Sequence, residues 1–200
     1  MLKLAQPRLR GFSLIELLVV VAVLGLVLML GLPNLSAWLQ NTQIRSGAEA
    51  TISGLQLARA EALRRNRVVR FSLVDTLDAG CNLAAAGPNW IVSLADPSAN
   101  CGVDPSDTVD PFIVQKRSNQ EGSPNVVLAA SAASVTFNGL GSASSLVGNN
   151  PMTIDLSNPG GGACQSAAGP MRCLRVVVSS SGSVRMCDPA VTDATDPRAC

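Results

Sequence analysis

The chain has no histidine among its 200 residues and few aromatic side chains, four phenylalanines and two tryptophans. Without histidine the commonest general base is missing, along with the partner that Ser/His and Cys/His nucleophilic machinery requires. The acids show no diagnostic pairing either, so no catalytic residue is identified and the chain does not read as an enzyme. Zinc is disfavoured for the same reason, because the six cysteines contain no C-x-x-C pair to serve as a ligand set. Charge is sparse and balanced: 15 basic and 14 acidic side chains leave a formal +1, which gives no global pull toward nucleic acid. Residues 160–170, GGGACQSAAGP, lack the Gly-Lys-Ser/Thr ending of a phosphate cradle. Asp104, Asp107 and Asp110 miss the calcium-loop spacing and sit among Pro105 and Pro111, as in a plain turn. No metal and no cofactor is expected.

A long hydrophobic run near the start is present instead. Residues 14–32 carry one charge, Glu16, and as a helix would extend roughly 28 Å, close to a bilayer's hydrocarbon thickness. Leu, Val, Ala and Met surround the helix on all sides, and Gly25 weakens it only slightly. Lys3, Arg8 and Arg10 precede the run with no acid among the first fifteen residues, which places the N-terminus in the cytoplasm and the rest across the membrane. A secretory signal peptide also begins with a basic stretch and an apolar run. Here the run exceeds the usual apolar core, no A-x-A-like site follows, and an acid stands near its beginning. A carboxylate at a bilayer centre costs about 2.5–3.5 kcal/mol or more, so Glu16 needs a partner or a boundary position.

Residues 11–17, Gly-Phe-Ser-Leu-Ile-Glu-Leu, closely resemble the class III leader and mature N-terminus of type IV pilins and type II secretion pseudopilins. The resemblance implies that prepilin peptidase cuts between Gly11 and Phe12, that Phe12 becomes N-methylated, and that the apolar segment first anchors the subunit and later packs in a filament core. Physical chemistry supplies a reason for the acid. The amine freed at Phe12 is a cation, and Glu16 pairs with it at i+4, or with the amine of an adjacent subunit, which offsets the burial of both. The expected divisions are a leader at 1–11, a transmembrane and filament-core helix at 12–33, an amphipathic continuation at 34–66, and a β-rich head at 67–200. Without its leader the chain would carry twelve basic and fourteen acidic side chains.

Beyond Pro33, which should kink or loosen the helix, Leu35, Trp38 or Leu39, Ala48, Ile52, Leu55, Ala58 and Ala62 fall near helical spacing. Gly47 and Gly54 each cost about 1 kcal/mol relative to alanine, so this helix must pack on a sheet to be stable. Arg59, Arg64, Arg65 and Arg67 close it around Glu61, complementing the helix dipole, and no interleaved aromatics suggest nucleic-acid stacking. The run LARAEALRRN resembles the helix end of GspH/FimT-type minor pilins and pseudopilins. Short β-prone runs follow at 68–74, 90–94, 112–116, 126–128, 135–137, 152–156, 174–178 and 184–187, the last two joined by a Ser/Gly hairpin turn. The polar segments 100–111 and 140–151 read as surface loops.

All six cysteines, Cys81, Cys101, Cys164, Cys173, Cys187 and Cys200, lie on the non-cytoplasmic side of the apolar run, where disulfides form. Fifteen connectivities are open; pairing of sequence neighbours would staple three loops, each worth about 2–4 kcal/mol. The final stretch, SGSVRMCDPAVTDATDPRAC, resembles the cysteine-closed tail of FimT/FimU-type minor pilins. Some FimT-like proteins bind DNA through a Gly-Arg-x-Arg turn here, whereas this chain has Gly182, Ser183, Val184 and Arg185. Arg185 and Arg198 are the candidate DNA contacts, with Asp188, Asp193 and Asp196 around them.

Together these readings imply an α+β type IV pilin fold: a long N-terminal helix, its first half transmembrane, packed on an antiparallel β-sheet head with a disulfide-closed tail. The implied function is that of a minor type IV pilin in pilus initiation or tip assembly, with a GspH-like pseudopilin of type II secretion or a DNA-binding minor pilin as alternatives. The expected partners are other pilins or pseudopilins, prepilin peptidase, and the bacterial inner membrane, which the chain spans once with its C-terminal domain in the periplasm before entering a filament.

Overall fold

The computed structural model describes residues 13–144 and 151–200, with the side chains of residues 30–34 outside that description. One helix, α1, runs from Leu14–Arg65 and continues past Pro33. It ends in a Schellman motif, with Asn66 left-handed at φ 48°. The Arg67 N–H donates to the Ala62 carbonyl at 3.2 Å and the Asn66 N–H to the Leu63 carbonyl at 3.4 Å, so the last carbonyls are satisfied. The chain divides into two units, Met1–Ser36 and Ala37–Cys200.

Within the second unit the strands are β1 Val69–Val74, β2 Asn89–Ser93, β3 Ile113–Arg117, β4 Val127–Ala130, β5 Ser134–Phe137, β6 Ala143–Ser144, β7 Met152–Ser157, β8 Leu174–Val178 and β9 Val184–Cys187. They form two antiparallel sheets, a five-stranded one ordered β3-β2-β1-β5-β6 and a four-stranded one ordered β4-β7-β8-β9. Strand β6 corrects one expectation. It lies inside the stretch read as a surface loop, pairs with β5, and leaves Ala143 only 8% exposed. Two residues are too few to show the alternation by which strands are recognised.

The buried face of α1 in this unit is Ile44, Ala48, Leu55, Ala58 and Ala62, all fully buried, with Thr51 beside them. The expected stripe began too early: Trp38 is 62% and Leu39 49% exposed, and Leu35 in the first unit is 51% exposed. Small residues on this face bring the helix close to the strands. A Cβ on Gly54 would stand 2.9 Å from Phe71 and 3.0 Å from Trp90, two rings whose centroids are 5.6 Å apart. Gly47 has Val126 and Leu156 against it in the same way. The intrinsic helix cost of these glycines is thus offset by aromatic and aliphatic burial.

Strands β1 and β2 are buried on both faces. One face joins the main core under α1. The other carries a second cluster of Val74, Ile91 and Ile113 with Cys81 and Cys101, and those cysteines are bonded to each other. The disulfide closes the long β1–β2 excursion onto the following loop, which gives the outer face of the sheet an apolar cover.

At the end of α1, Glu61 receives Arg64 at 2.7 Å and Arg65 at 2.6 Å, and Arg65 also reaches Asp107 at 2.7 Å. The network ties the helix end to the 101–111 loop. The hydrogen bond from Arg64, assisted by Arg65 and opposed by desolvation, lowers the Glu61 carboxyl from 4.5 to about 2.

Two outcomes follow. Gly54→Val should destabilise the head by about 1–3 kcal/mol by overpacking the Phe71–Trp90 pair, measured as a lower Tm of the full chain in detergent; an unchanged Tm would contradict the close approach. A depressed folded pKa means that the Glu61 contribution is complete above its unfolded value and is lost as pH falls through the folded one. Replacing Glu61 by Gln should therefore flatten the loss of stability between pH 4.5 and about 2, read from Tm against pH; an acid limb as steep as the parent's would refute the assignment.

Candidate functional site

The first site is the beginning of α1. Ser13 stands at the N-cap, and Glu16 is the acid of the first turn. The Glu16 N–H donates to Ser13 Oγ at 3.3 Å, and the Ser13 N–H donates to Glu16 Oε2 at 3.4 Å. This reciprocal pair is a capping box, and Ser13-x-x-Glu16 spells it in the sequence, though the sequence reading treated the acid alone. The carboxylate is also favoured at the positive end of the helix dipole. It is therefore anchored locally, on the peptide N–H of the residue that follows Phe12. Gly11 and Phe12, like the rest of the expected leader at 1–11, lie outside the described residues.

Beyond the cap, apolar side chains are exposed all around the helix, from Leu14 at 78% through Val21 at 59% to Met29 at 80%. A continuous apolar surface of this extent marks a membrane or protein contact. Among the described residues, no helix is long and apolar enough to cross a membrane. The described part of the run, 14–29, is about 24 Å long as a helix, and the side chains that would extend it to residue 32 lie outside the description.

The second site is the closed tail. The disulfides join Cys81 to Cys101, Cys164 to Cys173 and Cys187 to Cys200. Arg185 on β9 donates to the carbonyls of Ala199 at 3.2 Å and Cys200 at 3.0 Å. Arg198 forms a two-pronged pair with Asp196; the first cause of the fall of that carboxyl to about 2 is the Arg198 side-chain hydrogen bond. Both candidate DNA contacts are thus engaged within the tail, although both stay exposed. Asp188, buried at the base of the tail, accepts from Arg172 at 2.9 Å. The Arg172 N–H in turn reaches Asn41 Oδ1 on α1 at 2.8 Å. A groove of about 480 Å³ opens here, between Trp38, Arg45, Arg172, Leu174, Met186 and Arg198.

The hairpin turn before β9 is locked as well. Gly182 has φ 78° and no room for a Cβ against the Gly141 carbonyl, which also accepts from Arg59 at 3.1 Å. The Ala143 N–H donates to the Ser180 carbonyl at 3.0 Å. Asp104 faces Lys116 at 3.8 Å and Asp107 faces Arg65 at 2.7 Å, so these two acids of the 104–110 loop are paired with cations. Among the described residues, no group of three or more potential ligands is placed to hold a metal ion.

No curated protein matches the chain. Among solved structures it is similar to the type IV minor pilin FimU of Pseudomonas aeruginosa, with 15% identity, TM-score 0.47, and coverage of 71% of this chain and 90% of that one. It is similar to the minor pseudopilin EpsH of the Vibrio cholerae type 2 secretion system, at 12% identity and TM-score 0.46, covering 74% of this chain and 99% of that one. For E. coli GspH the identity is 14%, the TM-score 0.40, and the coverage 78% and 94%. The prokaryotic N-terminal methylation motif matches residues 7–32, around the capped helix start. The model of type II transport protein GspH matches residues 47–182, from the buried face of α1 to the last hairpin, and the chain belongs to that family.

Proposed function

We propose that the protein is a minor type IV pilin, a non-enzymatic subunit of pilus initiation or tip assembly, through which it serves pilus biogenesis and the twitching motility or adhesion that pili support. Prepilin peptidase removes residues 1–11, Phe12 is methylated, and the chain waits in the inner membrane with its C-terminal domain in the periplasm until it joins the filament. The observation that carries this reading is the Ser13–Glu16 capping box at the head of an apolar helix within the N-terminal methylation motif. A carboxylate already held at the helix start can exchange a backbone N–H for the ammonium of Phe12, on its own chain or on a neighbour, when water is excluded. The apolar surface of the helix then packs against equivalent helices of other pilins.

The family's description as a type II transport protein favours a second reading, a minor pseudopilin of type II secretion. The assembly chemistry is the same in both. A DNA contact through Arg185 and Arg198 forms no part of the proposal, because the first holds the terminal carbonyls and the second is paired with Asp196.

Substitution of Glu16 separates capping from charge pairing. Glu16→Ala should leave membrane insertion and leader cleavage intact while reducing incorporation into filaments at least tenfold, by quantitative immunoblot of sheared filaments. Glu16→Gln keeps a capping side chain but has no charge, so it should fail like alanine. Incorporation restored by glutamine, or unaffected by either change, would contradict the ion-pair role.

A further inference from the structure

Strand β4 is an edge of the four-stranded sheet. Its Ala130 N–H points away from β7 and donates to the Ala85 carbonyl at 2.8 Å. Alternation along an antiparallel strand therefore turns the N–H and C=O of Leu128 outward as well. Among the described residues no loop backbone bonds to them. In front of this edge lies a cleft of about 620 Å³, bounded by Ala86 and Pro88 across from β4 and by residues 124–128 and 158–160. Pro88, Pro124 and Pro159 form part of its walls, and a proline has no N–H with which to close on the open strand.

The chemistry of the walls is uniform. No Lys, Arg, Asp or Glu lines the cleft; the polar side chains are amides, Gln40, Asn119, Asn125 and Asn158. Asn158 is 1% exposed. Its Nδ2 donates to Gln43 Oε1 at 3.4 Å, but Oδ1 has no hydrogen-bond partner. Leaving a buried amide oxygen unpaired is costly, and a donor arriving in the cleft would recover part of that cost. Val127, next to the open position, is 44% exposed although it is apolar.

We propose that this cleft receives an extended, uncharged segment of a neighbouring filament subunit, which adds as a strand alongside β4. The occupant is a peptide because the open valences are one backbone N–H and one backbone C=O, the pair that a strand satisfies. It is uncharged because a charged side chain buried against walls without a counter-ion would not recover its desolvation cost. The amides select backbone groups and Ser, Thr, Asn or Gln side chains. The inference rests on the assembly reading above.

Hydrogen exchange on the full-length chain tests it, comparing membranes before assembly with isolated filaments and following the peptide that contains residues 126–130. Incorporation should slow exchange at Leu128 at least tenfold and leave Val127 and Ala129, bonded to β7 throughout, unchanged. Val127→Glu should lower incorporation at least tenfold while keeping the parent's Tm, and Val127→Thr should enter normally. Unprotected Leu128 in assembled subunits, or normal entry of Val127→Glu, overturns the proposal and leaves the assembly reading standing. Absence of the parent chain from filaments overturns both.

Discussion

The close approach of α1 to its sheets governs the rest of the head. On a helix face where only Ile44 and Leu55 are large, Gly47, Ala48, Gly54, Ala58 and Ala62 offer little apolar area of their own, so much of its stability comes from the partners that they let in. Phe71 and Trp90 fill the space at Gly54, and Val126 and Leu156 fill it at Gly47. Because these partners come from both sheets, the helix is the common wall against which the five-stranded and four-stranded sheets share one core. The disulfides reinforce this arrangement: Cys81–Cys101 lies in the cover over β1 and β2, Cys164–Cys173 closes a loop against the main core, and Cys187–Cys200 closes the C-terminal tail.

The N-terminal end of the same helix obeys a different constraint. Its described apolar side chains are exposed, and its one acid is paired with Ser13. A helix with a polar, capped start and an apolar surface around it is poorly suited to water. Lipid and sister helices, the two surroundings proposed for it, both accept such a surface. In both, a carboxylate requires a partner, and the proposed cleavage after Gly11 would supply an amine four residues before it.

Much of this was legible before any coordinates. The resemblance at Gly11–Leu17 led to the family and to the long helix, and the eight expected strands correspond to eight of the nine among the described residues, with ends displaced by a residue or two. Neighbour pairing of the cysteines was one of fifteen open connectivities; proximity in the folded chain selects it. Three features were hidden for physical reasons. A two-residue strand such as β6 has no period to detect. Trp38 and Leu39 fit the helical stripe but lie outside the sheets' cover, and hydrophobicity alone does not reveal where a partner surface stops. The open edge at Leu128 is a backbone property, and any side chain at that position would leave it unmarked. Ser13, by contrast, was readable, because a serine three residues before a glutamate at the start of an apolar run is a helix-start signature.

As proposed, the apolar helix is a processed filament element with a new amine at its head. Mass spectrometry of the N-terminal peptide of the mature protein, isolated from cells with an active prepilin peptidase, tests this most directly. The expected chain begins at Phe12 and carries one methyl group on its α-amine. Retention of residues 1–11, or cleavage at any other bond, would contradict it.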